Sequence, residues 1–292
     1  MSPTFRAGPT NSTVADNLGL LAELRGHWIG SGFNLVTRPD KVNDPPFFLE
    51  LNSTRETLDF TAIAGDIPDR GSLESDINLH ALHYLQQVSD QATDTTLYVE
   101  TGLWTHVPPT EAPADAEETY VRQASIPHGS SLLAQSTFTD DPDAGPDIGP
   151  VDSTPFTGTV PPLNAAPAAP ISDPIYLAQF SNVQLPPGLP AGLNTAAMVK
   201  NPALLLNKAI ENQNITNTVV IAISTEPAGG ILNIPFLTHN ADAARLDAIF
   251  WIEKVWHPIA GEFVQLQYVQ RVIIDFIGIH WPHISVATLR KQ

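Results

Sequence analysis

A series of short segments in which apolar and polar residues alternate sets the limits on this chain. They run over 27–38, 46–63, 76–89, 95–107 and 119–138, and resume over 217–225, 230–238, 246–257, 262–276 and 283–289. A period of two is the spacing of a strand with one buried face. Turn residues bound each segment, and most connections are short. The expectation is an all-β chain: an antiparallel up-and-down β-barrel of about ten strands, whose closure removes exposed edges.

Two stretches depart from this pattern. Residues 13–25 read as a short N-terminal helix. Thr13 can cap it, Leu18, Leu21 and Leu24 share one face, and Gly26 ends it. Residues 140–192 are crowded with Pro, Asp, Ala and Gly. Proline has no N–H for a ladder and clashes inside a helix, so this stretch reads as a long loop. Residues 194–213 look helical, with Asn194 as cap and a break at Asn201–Pro202. Large apolar residues are too few here for a separate core. The whole of 140–215 is therefore expected to be an insertion within one barrel domain spanning 1–292.

Composition excludes several chemistries. There is no cysteine, which removes disulfides, thiolate metal sites and cysteine nucleophiles. The net charge is −17, from 31 acids against 14 bases, so a phosphate backbone is repelled and nucleic acid is not an expected partner. No run is long and apolar enough to span a bilayer as a helix, and the first residues have no apolar signal region. The expectation is a cytoplasmic protein without a membrane partner. Walker loops, nucleophile elbows and His-Glu-x-x-His zinc motifs are absent.

Nine histidines are the main chemical resource. His80 and His83 fall on opposite faces of one strand and make a poor metal pair. His283 would share a face with Ser285, Ala287 and Leu289, small neighbours that leave room for a flat ligand. His128 lies between Pro127 and Gly129, where an irregular backbone, as at a mid-strand bulge, could aim it into a site. The acids of 140–147 read as a solvated loop. Asp40, Asp44, Glu50, Glu56, Asp59 and Asp76 show no spacing that pairs carboxylates for acid–base work.

Several stretches resemble the nitrobindins, a heme-binding β-barrel family related in shape to the fatty-acid-binding proteins. After the opening helix come Gly26, Trp28, Gly30 and Gly32, matching the family's Gly-x-Trp-x-Gly-x-Gly; Asn34 stands where the next family glycine would be. The stretch STRETLDFTAIAG resembles the family's second strand. Glu100, Gly102 and Trp104 match the following hairpin, and QASIPHGSS resembles its Gln-Pro-Thr-Gly stretch, with His128 where threonine is usual. WPHISVATLRK resembles the C-terminal strand, in which a histidine is the proximal heme ligand; His283 matches it. The resemblance covers 26–135 and 217–292.

The resemblance implies heme b in the barrel, its iron bound by a neutral His283. Trp28, Phe33, Leu35, Phe48, Leu51, Ile126 and Leu132 would line the wall. It also implies handling of nitric oxide, peroxynitrite or peroxide. His128 could then act as a catalytic acid–base residue, and the insertion could lie over the mouth as a lid above an organic substrate. The chemistry would be that of a heme-dependent isomerase, peroxidase or peroxygenase. A second reading is a metal-free carrier of a lipophilic small molecule, with Arg55, Arg122 or Arg271 inside the barrel. A third is an interaction module, with the Ala203–Ile210 helix forming a homodimer contact.

Overall fold

The computed structural model describes residues 11–112 and 116–292. Helix α1 (Asn11–Leu18) passes into a 3₁₀ segment, Gly19–Leu24, rather than continuing as one helix. The change has a local cause. Gly19 has φ +56°, and a Cβ there would lie 2.6 Å from the Tyr120 hydroxyl oxygen. The Leu20 N–H donates to that same oxygen at 3.2 Å. Only glycine allows the chain to turn so close to the tyrosine.

Seven strands follow: β1 (Gly26–Pro39), β2 (Phe47–Ala62), β3 (Ile67–Asp69), β4 (Ile77–Asp90), β5 (Thr96–Val107), β6 (Thr119–Ile126) and β7 (Ser130–Asp140). The insertion carries α2 (Pro174–Ser181), α3 (Thr195–Lys200) and α4 (Leu204–Ile210). Then come β8 (Asn214–Ser224), β9 (Gly230–Asn233), α5 (Pro235–Asn240), β10 (Asp242–His257), β11 (Gly261–Phe276) and β12 (Ile279–Lys291). The pairing order is β2-β1-β12-β11-β10-β8-β7-β6-β5-β4, and β4 returns to β2, all antiparallel. This is a closed ten-stranded barrel. The short strands β3 and β9 add to β4 and β7.

Three local expectations change. The segment 119–138 is two strands, not one bulged strand. Pro127 and Gly129 lie in a hairpin turn, closed by the Gly129 N–H donating to the Ile126 carbonyl at 2.9 Å, with Gly129 at φ +111°. The segment 230–238 is a strand followed by α5, which opens on Pro235. α2 forms inside the proline-rich stretch. Pro174 occupies its first turn, where no N–H is needed, and Asp173 caps it by accepting from the Ile175 N–H at 3.0 Å.

The insertion lies against the outside of the barrel. Phe33 and Leu35 of β1, Ile284 and Val286 of β12, Val269 of β11 and Trp251 of β10 point outward. They pack against Ile148, Val151, Leu163, Met198, Val199 and Leu206. Each such side chain contributes roughly 1.5–3 kcal/mol when fully buried. Hydrogen bonds fix the strap. The Phe156 N–H donates to the His280 carbonyl at 3.1 Å, and the His280 N–H returns to Phe156 at 2.9 Å. Arg271 donates to the Pro161 carbonyl at 2.7 Å and to Asp247 at 2.7 Å. The expected lid over the mouth is therefore corrected: these contacts hold the segment to the outer wall, because that wall is the apolar face left uncovered.

Candidate ligand-binding site

Alternation along each strand sorts the inner side chains into three layers. At one end the N-terminal helical segment plugs the barrel. Leu18, Leu21, Leu24, Trp28, Phe60 and Trp104 are buried together there. The Trp28 indole donates to the Leu24 carbonyl at 2.7 Å, and the Lys291 ammonium to the Glu23 carbonyl at 2.8 Å.

A polar belt crosses the middle. Glu100 and Arg122 form a buried ion pair, with the Arg122 Nε donating to Glu100 at 3.0 Å. Tyr84 and Tyr98 both donate to Glu100. The guanidinium also donates to Gln270 at 2.8 Å and lies 5.7–5.9 Å from the rings of Tyr84, Trp104 and Phe250. Burial works against its charge, but Glu100 together with Tyr84 and Tyr98 outweighs this and the Arg122 pKa is raised. Glu56 accepts from Tyr268 at 2.5 Å and from Thr54 at 2.8 Å. Burial raises the Glu56 pKa despite those bonds. Burial first, then the adjacent carboxylates, raises Tyr84, Tyr98 and Tyr268. Nearly every donor and acceptor here is matched, as buried polar networks require. The exception in the next row is Asn34, buried with its Oδ1 unpartnered.

Beyond the belt the inner side chains become partly accessible. Val36, Asn52, Tyr98, Ile126, Gln270, Val272, His283 and Ser285 form this open bowl at the unplugged end. His283 is set by its neighbour. The β1–β12 ladder stops at Leu35↔Ile284, and the next residue but one, Pro282, has no N–H. The imidazole fills the gap: Nε2 lies 2.6 Å from the Thr37 carbonyl oxygen and 3.2 Å from the Thr37 nitrogen. The shorter contact assigns Nε2–H as donor to the carbonyl and leaves the lone pair on Nδ1. Burial lowers the His283 pKa to about 4, against the Thr37 hydrogen bond, so the ring is neutral at pH 7. Neutral imidazole with its second nitrogen held by a carbonyl is the state in which histidine binds a metal. In donor chemistry His283 therefore fits a heme ligand.

The other sequence-derived residues are dispersed. Trp28 lies in the plug, at the end away from His283. Leu132 faces the interior, and Ile126 reaches the bowl. Phe33 and Leu35 are corrections: they lie under the insertion, outside the wall, because inward parity on β1 belongs to Trp28 and Asn34. Leu51 packs on that same outer side, and Phe48 is exposed. His128 is exposed in the β6–β7 turn, its ring stacked on Tyr98 at 6.2 Å, at the same end of the barrel as His283. Arg55 is exposed and pairs with Asp94 at 2.9 Å, and Arg271 sits outside beneath the insertion. Of the three arginines only Arg122 is internal, and Glu100 already holds it. Sequence reasoning weighed Glu56 only for pairing with another carboxylate, which does not place it in the belt. Its signal was an acid in phase with Thr54, Leu58 and Phe60 on one face of β2.

Among the described residues no group of three or more His, Asp or Glu is arranged to hold a metal ion by itself. No helix among them is long and apolar enough to cross a membrane. No protein-family model matches the chain, and no curated protein matches it in sequence. Among solved structures it is similar to the crystal structure of Rv2717c from M. tuberculosis, at 13% identity and TM-score 0.45, covering 94% of this chain and 97% of that one.

Proposed function

We propose that the bowl binds heme b, with His283 as the protein ligand to iron. The observation that supports this is the state of His283: uncharged, on the inner face, and held through Nε2 by the Thr37 carbonyl. Ile126 and Val272 would flank the porphyrin, and Ser285 gives it space beside the histidine. Bound heme would supply an iron that takes small oxidants such as nitric oxide, peroxynitrite or peroxide. His128, on the rim against Tyr98, is the residue in this reading that would exchange a proton with such a ligand or with an organic substrate. The setting is cytoplasmic, without nucleic-acid or membrane partners.

A metal-free carrier is the second reading, and the polar belt favours it. A lipophilic molecule with one hydrogen-bond donor would rest on the belt and satisfy Asn34 Oδ1.

Hemin titration followed by absorption separates the two. Heme binding predicts a sharp Soret band at one equivalent, lost in His283→Ala and altered but present in His128→Ala. Because His283→Ala also strips Thr37 of its partner, His283→Asn serves as the folded control, and circular dichroism checks both. No Soret shift in the wild-type protein would remove the heme reading and leave the carrier.

A further inference from the structure

The barrel wall has two contrasting halves. The half formed by β8, β10–β12 and β1 lies under the insertion. The other half, on β4, β5, β6, β7 and β9, is left uncovered by the described residues. Register and alternation fix its outward rows. One row runs Leu85, Thr101, Ser125, Ser131 and Leu232. The next runs His83, Leu103, Gln123, Leu133 and Gly230. Neither row contains an Asp, Glu, Lys or Arg, although the chain carries 45 such residues, 31 acids plus 14 bases. The adjoining β2 wall, by contrast, presents Arg55 and Asp59.

That wall also has relief. Leu232 stands out with 78% of its surface exposed, and Leu133 is 37% exposed. Beside them a groove of about 780 Å³ runs over β5, β6, β7 and β9, with open space where a side chain at Gly230 would stand.

We propose that this uncharged wall is the contact face of a homodimer related by a two-fold axis, with Leu232 of each copy seated in the groove of the other. Two features carry the proposal. Copies of charge −17 repel one another wherever acidic surfaces meet, so they can approach closely only through a charge-free face. A knob beside a groove on one face is the self-complementary arrangement that a two-fold contact requires. Such a face differs from the α4 contact considered from the sequence, since Leu205 and Leu206 of that helix are buried on the barrel.

The test is sedimentation equilibrium of the full chain across a concentration series, at low salt and at high salt. The expected mass is twice the 31.5 kDa of one chain, with tighter association at high salt, where the repulsion between copies is screened. Leu232→Asp places a charge at the centre of the contact and should weaken the dimer by at least about tenfold. Ile259→Asp, on a side chain 91% exposed in the β10–β11 turn, should leave it unchanged. Circular dichroism confirms that both variants are folded. A wild-type monomer at every concentration and salt would overturn the proposal. So would a dimer indifferent to Leu232→Asp, since its contact would lie elsewhere.

Discussion

Glu253 is a carboxyl sealed between the barrel wall and the insertion. It projects outward from β10 beneath the insertion, fully buried, with one oxygen bound by the Gln265 amide and the other unpartnered. The groups packed around it are uncharged: Thr218 on β8, Gln265 on β11 and, through Gln265, Gln213 before β8. Burial pushes its pKa up from 4.5 to about 7. The folded state therefore holds this proton more tightly than the unfolded chain does. Its stabilisation is complete below pH 4.5 and is lost as pH rises through about 7, amounting to about 3 kcal/mol. His283 works in the opposite sense. Its pKa is lowered to about 4, so the stability it supports is present above 6.5 and fades as pH falls toward 4. The two effects oppose and largely cancel between pH 4.5 and 6.5, so melting temperature should be level there, falling as pH rises toward 7 and as it drops toward 4. Glu253→Gln should lift the alkaline side, and His283→Asn should flatten the acid side. Parallel curves for wild type and Glu253→Gln between pH 4.5 and 8.5 would contradict this account. Neither shift is legible in the sequence, because both arise from what covers the residue rather than from its neighbours in the chain.

At the scale of elements, legibility follows the range of the interactions that decide. The strands were readable because alternation is local. The α3 cap was readable too: Asn194 accepts from the Ala197 N–H at 2.9 Å, and α4 restarts after Pro202. What was misread depends on partners far away in sequence. Phe33 and Leu35 are apolar in a strand, as interior residues would be, yet they serve a core shared with residues 148–206. An apolar residue shows that a face is covered, not by what. His128 shows the same limit: proline and glycine announced irregular backbone, but a hairpin turn and a bulge look alike until the pairing is known. The element that decides this wall is the insertion, and Arg271 is its latch. Its guanidinium bridges Asp247 to the Pro161 and Pro162 carbonyls, with Nε unpartnered. Arg271→Ala leaves Asp247 with Arg245 and Ser224 as remaining partners. The expected cost is about 2–4 kcal/mol, near that of breaking a buried ion pair. Limited proteolysis should then cut first between 155 and 170, while the barrel resists. Uniform cleavage throughout the chain would mean that Arg271 supports the barrel itself.

For the whole molecule, the closed barrel leaves the bowl at the unplugged end as its route inward, and the insertion lies along the wall. These two facts distinguish a strap from a lid. A lid can be removed without harm to the fold, and its loss speeds ligand entry. A strap covers apolar surface, and its loss exposes that surface to water. Replacing residues 145–208 with a short Gly-Ser linker would bare Phe33, Leu35, Trp251, Val269, Ile284 and Val286 together. A contiguous apolar face of that kind drives association. It would also leave Glu253 and Arg271 in water, where their burial costs disappear, so the barrel itself need not unfold. The expected product is therefore a chain that retains β-sheet circular dichroism but aggregates. Charged substitutions at Leu35 and Ile284 should restore its solubility, since those side chains would then face solvent. Ligand access through the bowl should be unaltered in the rescued variant, because the bowl residues lie on the inner face. A soluble, monomeric deletion variant without those substitutions would show that the insertion does not serve as a strap, and faster hemin uptake by it would return the segment to the role of a lid.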